Sequence, residues 1–184
     1  YKQGELDPGF WMRALDDARH KDNNQAAQVA VQALAKYPVS SLPVGWLLDA
    51  LTKPYGQMIG YWLQNADALP GLDVERVKGL VFNASYRHVA LAVLGNTKLV
   101  KPRDLGLPWL LALARRTDPS LNQFAHRYLL EHMKPADFAA ESPEAASAEE
   151  AGVRRLFALA TGEKEPESVR AFAQELGMSA WTIY

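Results

Sequence analysis

Val89-Ala90-Leu91-Ala92-Val93 places an apolar residue before a small one, with a second apolar residue three positions after the small one. The same arrangement occurs in four other segments, which are Val29-Ala30 with Ala33, Ile59-Gly60 with Leu63, Phe124-Ala125 with Tyr128, and Phe172-Ala173 with Leu176. The small positions are separated by 30, 30, 35 and 48 residues. Recurrence in this range is typical of stacked helical repeats.

A second set of apolar residues lies upstream of each small-residue segment. Each set repeats every three or four residues, which places an apolar stripe along one face of a helix. Helix-start signals then separate each set from the small-residue segment: Asn23, Asn83 and Asp118 as N-caps, and Pro54 and Pro166 as first-turn prolines. The stripes are Trp11–Leu15, Val44–Leu51, Val74–Val81, Leu107–Ala114 and Val153–Ala160, the last including Phe157.

These patterns predict an all-α chain of about ten helices in five antiparallel hairpins, forming a single domain over residues 1–184. A hairpin cannot bury both of its stripes alone, so neighbouring hairpins are expected to stack. The small residue of each second helix is expected to let an adjacent helix approach closely. A surface loop is predicted at about residues 134–148, which contain Pro135 and Pro143, with Phe138 holding the loop to the core.

Two segments carry a family resemblance. Val169-Arg170-Ala171-Phe172-Ala173-Gln174-Glu175-Leu176-Gly177 resembles the second helix of HEAT repeats, and Asp118-Pro119 followed by Phe124-Ala125 is similar, although Asn122 stands where arginine is usual. The resemblance implies a short right-handed α-solenoid of five HEAT-like, armadillo-type hairpins. The last third is also similar to HEAT-like segments of large bacterial multidomain proteins. Gly177 is predicted to cap the last helix.

Composition limits the classes of function. The 184 residues are 48% hydrophobic and 22% charged, as expected for a globular domain. No apolar run is long enough to span a bilayer, and the first residues lack the order of a signal peptide. The absence of cysteine excludes disulfides and thiolate metal sites. It favours the cytoplasm, and a cysteine-free exported protein is the alternative. Because the chain lacks an initiator methionine, a targeting segment removed by processing and an excised domain are both open interpretations.

Residues with catalytic or metal-binding potential form no recognised motif. The histidines are His20, His88, His126 and His132, and none belongs to a His-Glu-Xaa-Xaa-His arrangement. No activated nucleophile or phosphate-binding glycine loop is evident, since Leu105-Gly106-Leu107-Pro108 is interpreted as a connection between helices. We therefore predict no catalytic residue, no metal site and no cofactor, and enzymatic activity is the less favoured interpretation.

The charge distribution suggests one possible binding site. Residues 98–134 carry seven basic and three acidic side chains, whereas residues 135–184 carry four and nine. Arg115, Arg116, Arg127 and Lys134 are candidates for a basic ridge that contacts nucleic acid or another anion, as in HEAT-like alkylpurine DNA glycosylases. The alternative is that these side chains complement helix dipoles and remain solvated.

Clustered aromatic residues suggest a second site. Tyr55, Tyr61 and Trp62 lie too close together for all three rings to enter the inter-helix core, so at least one is expected to point outward and to anchor a protein partner. Wide contact with an adjacent repeat is the alternative. The leading prediction is a non-enzymatic protein-interaction or scaffold module whose partner is another protein or another domain of the same parent chain. The second prediction is a nucleic-acid-binding domain.

Overall fold

The computed structural model describes residues 7–21, 23–139 and 147–181. Across these ranges the regular structure is entirely helical, which confirms the all-α prediction. The α-helices are α1 Pro8–His20, α2 Asn24–Leu34, α3 Val44–Ala50, α4 Gly56–Gln64, α5 Val74–Leu80, α6 Arg87–Leu94, α7 Pro102–Leu105, α8 Leu107–Ala114, α9 Pro119–His132, α10 Ala148–Thr161 and α11 Glu167–Trp181. Two 3-10 helices occur at Val39–Ser41 and Pro135–Phe138. No helix within the described ranges is long and apolar enough to cross a membrane.

The ten predicted helices are present as pairs of consecutive helices in contact, namely α1 with α2, α3 with α4, α5 with α6, α8 with α9, and α10 with α11. Short connections join the two helices of each pair, and we call such a pair a hairpin. The four-residue helix α7 was not predicted. It leads into α8 through Gly106, whose φ of +76° favours glycine.

Side-chain caps account for several helix starts. The Asn23 carboxamide oxygen accepts a hydrogen bond from the Ala26 amide at 3.1 Å, and the Asp118 carboxylate accepts one from the Ser120 amide at 3.0 Å, as predicted. Asn83 instead accepts from the Ser85 amide at 3.0 Å, in the turn before α6 begins at Arg87. These bonds satisfy amides that have no partner inside the helix.

The predicted end of the last helix is wrong. Gly177 lies inside α11 and does not terminate it. A capping glycine adopts positive φ, which among the described glycines occurs at Gly71 and Gly106. Because Gly177 keeps helical geometry, α11 continues past it to Trp181.

Contacts between helices divide the chain into two compact units, Tyr1–Leu99 and Val100–Tyr184. The prediction of a single domain stays a prediction.

In the first unit, the second helices of two consecutive hairpins run parallel. Gln57 lies 3.5 Å from His88, and a Cβ built on Gly60 would overlap Cγ1 of Val89. Further along, the side chain of Asn96 donates to the Leu63 carbonyl at 2.9 Å and to the Ala66 carbonyl at 2.8 Å. Residues later in the α4 region contact residues later in the α6 region, so the two helices run in the same direction. Gly60 provides the close approach that the small-residue pattern predicted.

Several sequence separations between contacting residues of the first unit are close to the predicted repeat spacing. In the first unit, polar contacts join residues that are 27, 30, 31 and 33 positions apart, including the ion pairs Arg76–Asp49 and Lys98–Asp67. The small residues of these hairpins, Gly60 and Ala90, are 30 positions apart. Equivalent parts of neighbouring hairpins therefore face each other.

In the second unit, the two hairpins contact each other at a longer separation. The Ser168 hydroxyl donates to the Ala114 carbonyl at 2.7 Å, across 54 residues, and Arg115 pairs with Glu165 across 50 residues. The predicted separation here is 48, from Ala125 to Ala173. The larger separation reflects the segment between α9 and α10, part of which lies outside the described residues.

Phe138 holds this segment to the helices, as predicted. Its side chain is fully buried, and its ring centroid lies 6.2 Å from that of Phe172 on α11. The 3-10 helix that contains Phe138 also packs against α10, where a Cβ built on Gly152 would overlap the Pro135 carbonyl oxygen. This contact needs a residue without a side chain on α10.

Replacing Gly152 with alanine is expected to destabilise the fold by about 1–3 kcal/mol, the usual range for overpacking, because the Pro135 carbonyl is backbone and cannot rotate away. Gly79→Ala is the matched control, since a Cβ there meets nothing within 4 Å and helix propensity favours alanine by up to about 1 kcal/mol. Urea unfolding followed by circular dichroism measures both variants. Equal unfolding midpoints would contradict the packing described.

Candidate protein-interaction surface and basic residues

Helix α4 carries an exposed apolar face. Ile59, Gly60 and Leu63 are buried, whereas Tyr61 is 65% exposed and Met58 is 41% exposed. Residues three apart on a helix are neighbours on its surface, so Met58 and Tyr61 form one patch. The prediction that one ring of the aromatic cluster points away from the core is confirmed at Tyr61.

Trp62 lies beside this patch and is partly buried. It is four positions after Met58, which places the indole along the other edge of the same helix face. The Tyr61 carbonyl accepts a hydrogen bond from the Asn65 side chain at 2.7 Å, which satisfies a carbonyl near the end of α4. We call Met58, Tyr61 and Trp62 the α4 patch.

Tyr55 occupies a different environment, in the turn before α4. Its hydroxyl donates to the Asp16 carboxylate at 3.0 Å, and its ring stacks on Trp46 with centroids 6.5 Å apart. The Arg19 guanidinium lies 5.5 Å from the ring centroid. Tyr55 therefore joins α1 to the second hairpin within the first unit, and its hydroxyl is already engaged.

Burial of the Tyr55 phenol, and next its hydrogen bond to Asp16, raise its pKa to about 12. Both effects favour the neutral phenol over the phenolate. The contribution of this group to stability is therefore present below pH 10, its ordinary pKa, and is lost as the pH rises toward 12.

Tyr55→Phe is expected to reduce the component of the phenolate absorbance titration near pH 12 by one phenol, while the ring stacking on Trp46 is retained. The rest of that component belongs to Tyr128, whose pKa burial also raises to about 12. Losing this hydrogen bond to a carboxylate is expected to lower the free energy of unfolding by about 1.5 kcal/mol at neutral pH, the low end of the range for hydrogen bonds to charged groups. Tyr61→Phe, at an exposed site, serves as the control and should leave that high-pH component intact. An unchanged titration in Tyr55→Phe would contradict this assignment.

The four residues of the predicted basic ridge lie on α9 and next to its two ends. Arg115 and Arg116 directly follow α8, and Arg127 lies on the exposed side of α9. Lys134 follows the far end of α9, where its amide donates to the Asp137 carboxylate at 2.7 Å. Since α9 has 14 residues, its two ends are about 21 Å apart.

Arg115 is paired within the second unit. Its guanidinium donates two hydrogen bonds to the Glu165 carboxylate, from Nε at 2.8 Å and from one terminal nitrogen at 2.7 Å. These bonds raise the pKa of Arg115 and lower that of Glu165. Bidentate pairing directs this guanidinium toward Glu165, which reduces the positive charge that it offers to a phosphate.

A double-mutant cycle with Arg115→Gln and Glu165→Gln is expected to give a coupling energy of about 0.5–1 kcal/mol, because the Arg115 side chain is 42% exposed and solvent screens the pair. The coupling should be complete above about pH 4.5, the ordinary glutamate pKa, and should decline below it as Glu165 is protonated at its lowered pKa. Chemical unfolding at several pH values measures it. A coupling that persists unchanged well below that pH would contradict the ion pair.

The histidines are distributed over several helices and contacts. His88 lies near Gln57, His126 is 3.6 Å from Glu175, and the His132 ring is 4.6 Å from the Tyr128 ring. Among the residues described, no group of three or more His, Asp or Glu side chains could hold a metal ion.

Two exposed apolar faces were missed by the sequence analysis. Phe157 belongs to the stripe predicted to be core, yet it is 68% exposed, and Met178 on α11 is 71% exposed. Val29 and Phe10 on the first hairpin are 48% and 43% exposed. The prediction that Phe157 is buried is wrong because, in the described part of the chain, no further hairpin covers this side of α10.

Comparisons with protein-family models, with curated proteins and with solved structures found no match for this chain.

Proposed function

We propose that this chain is a non-enzymatic HEAT-like repeat module that binds another protein through the α4 patch. In this proposal the five hairpins are repeats of a right-handed α-solenoid, and the partner is a separate protein or another domain of a larger bacterial protein in the cytoplasm. The repeat assignment is supported by contacts near the predicted spacings and by the parallel helices α4 and α6.

The observation that carries the functional proposal is the exposure of Tyr61 beside Met58 on a second helix. Aromatic residues and methionine are enriched in protein interfaces, and tyrosine is among the residues that contribute most to binding energy. Tyr61 offers a flat apolar ring with a polar tip, whereas the inward face of α4 is used for packing. Substituting Tyr61 therefore removes a partner contact without disturbing the core.

Nucleic-acid binding through Arg115, Arg116, Arg127 and Lys134 remains the second prediction, with less support. Phosphate binding depends on the number of cationic groups that can reach the backbone. The pairing of Arg115 with Glu165 reduces the positive charge that this ridge offers to a phosphate. We therefore favour the protein partner.

Tyr61→Ala is expected to reduce capture of a specific partner by at least about tenfold, since loss of an interface anchor costs about 2 kcal/mol. Wild-type and variant chains are immobilised at equal density and exposed to extract of the source organism, and bound proteins are quantified by mass spectrometry. The matched control is Gln123→Ala, at an exposed polar position of a different helix, α9, which should capture the same partner as wild type.

Thermal unfolding of both variants should resemble that of wild type, which shows that any loss of capture is not a loss of fold. The proposal is wrong if no captured protein depends on Tyr61. It is also wrong if Gln123→Ala and Tyr61→Ala lose the same proteins to the same extent.

A further inference from the structure

We infer that the partner of the α4 patch is an acidic peptide segment, which places an apolar side chain against Tyr61 and a carboxylate beside Lys53. The inference rests on the proposed function, because it names the chemistry of the partner that the α4 patch binds. All the residues that carry it belong to the first unit. The evidence is a groove at the start of α4, next to the patch.

This groove lies between the turn that precedes α4 and the turn that precedes α6, and its volume is about 410 Å³. We call it the Lys53 groove. Among the described residues that line it, none is acidic. The polar side chains of its lining belong to Thr52, Lys53, Gln57, Ser85, Tyr86 and His88. A negatively charged group in this groove would therefore meet a lysine and no lining carboxylate.

The Lys53 ammonium is available to a ligand. Its side chain is exposed, and no described carboxylate pairs with it. Other basic residues of the first unit pair with a carboxylate, namely Lys21 with Asp17, Arg76 with Asp49, Lys78 with Glu75, and Lys98 with Asp67. In contrast to these four, Lys53 retains an uncompensated charge beside an exposed apolar surface.

Gln57 connects the groove to the α4 patch. Its side-chain amide lies 3.5 Å from Nε2 of His88 in the groove. It also precedes Tyr61 by four positions, so the two side chains are neighbours on the surface of α4. Gln57 is exposed and Tyr61 is 65% exposed, so a single ligand can reach both. The groove and the patch thus form one continuous surface with a cationic end and an apolar end.

The length of this surface sets the spacing within the ligand. Four residues of α4 separate Gln57 from Tyr61, a rise of about 6 Å. An extended peptide covers that distance in about two residues, and a helical peptide covers it in about four. We therefore expect the acidic and apolar residues of the partner to be about two to four positions apart.

A single carboxylate fits this site better than a nucleic-acid backbone does. Lys53 also lines a neighbouring groove, where Asp16 and Asp49 balance the charges of Arg19 and Lys53. The two grooves together therefore offer no excess of lysine and arginine charge to a polyanion. Nucleic-acid affinity grows with the number of phosphates neutralised, whereas one carboxylate needs only one cation.

Selection of a displayed library of random peptides on the immobilised chain tests the inference. Wild type is expected to enrich peptides that carry Asp or Glu about two to four positions from an aromatic or aliphatic residue. Lys53→Glu reverses the charge of the groove and is expected to enrich Lys or Arg at the acidic position instead. Tyr61→Ala is expected to lose the preference for the apolar residue.

Fluorescence polarisation with one enriched acidic peptide then measures each contribution. Tyr61→Ala is expected to raise Kd by at least about tenfold. Lys53→Gln is expected to raise Kd by about two- to fivefold, since an ion pair at an exposed site contributes little. Lys36→Glu is the matched control, a charge reversal at another exposed lysine, and should leave Kd unchanged. Because these side chains are exposed, circular dichroism of every variant should match wild type.

The outcomes separate this inference from the proposed function. Peptides that depend on Tyr61 but show no acidic preference, or bind Lys53→Glu equally well, overturn the inference and leave the α4 patch as a binding site. An absence of any peptide that depends on Tyr61 also overturns it, and capture by Tyr61→Ala decides the proposed function independently. A labelled DNA duplex that binds with the same dependence on Lys53 would show that the groove takes a polyanion, which contradicts the inference.

Discussion

The packing of α6 against α4 depends on the missing side chain of Gly60. Since Val89 occupies the space that a Cβ would need, the two helix axes approach more closely than a larger residue would permit. That approach brings Asn96 within reach of the end of α4. There its side-chain amide donates hydrogen bonds to the Leu63 and Ala66 carbonyls. One small residue therefore sets both an apolar contact and the polar contacts that terminate the neighbouring helix.

The helices were predictable because their signals are local. An N-cap such as Asn23 or Asp118 accepts a hydrogen bond from an amide two or three residues away. An apolar stripe indicates that one helix face is buried, whichever part of the chain packs against it. Contacts at separations of about 30 residues followed from the regular recurrence of small residues. Gly177 was misassigned because glycine after an apolar residue signals a helix end only when its φ becomes positive.

The candidate site was less predictable because exposure depends on neighbours. Tyr55 and Tyr61 are equally aromatic in the sequence, yet Asp16, Arg19 and Trp46 enclose Tyr55, while Tyr61 points away from the buried face of its helix. Arg115 and Glu165 are 50 residues apart, and no sequence signal near either residue predicts that they pair. Phe157 likewise has the spacing of a core residue, and only the three-dimensional packing shows that its side of α10 is uncovered.

Phe138 and Ser147 fix the two ends of the connection between the hairpins of the second unit. The Phe138 ring packs against the Phe172 ring. The Ser147 hydroxyl accepts a hydrogen bond from the Glu150 amide at 3.2 Å, at the start of α10. Between two held points, the entropic cost of closing a flexible inserted segment grows only with the logarithm of its length, by about 0.6 kcal/mol for each doubling. Evolution can therefore lengthen the chain at this point, or place a new module there, while the helices on either side keep their register.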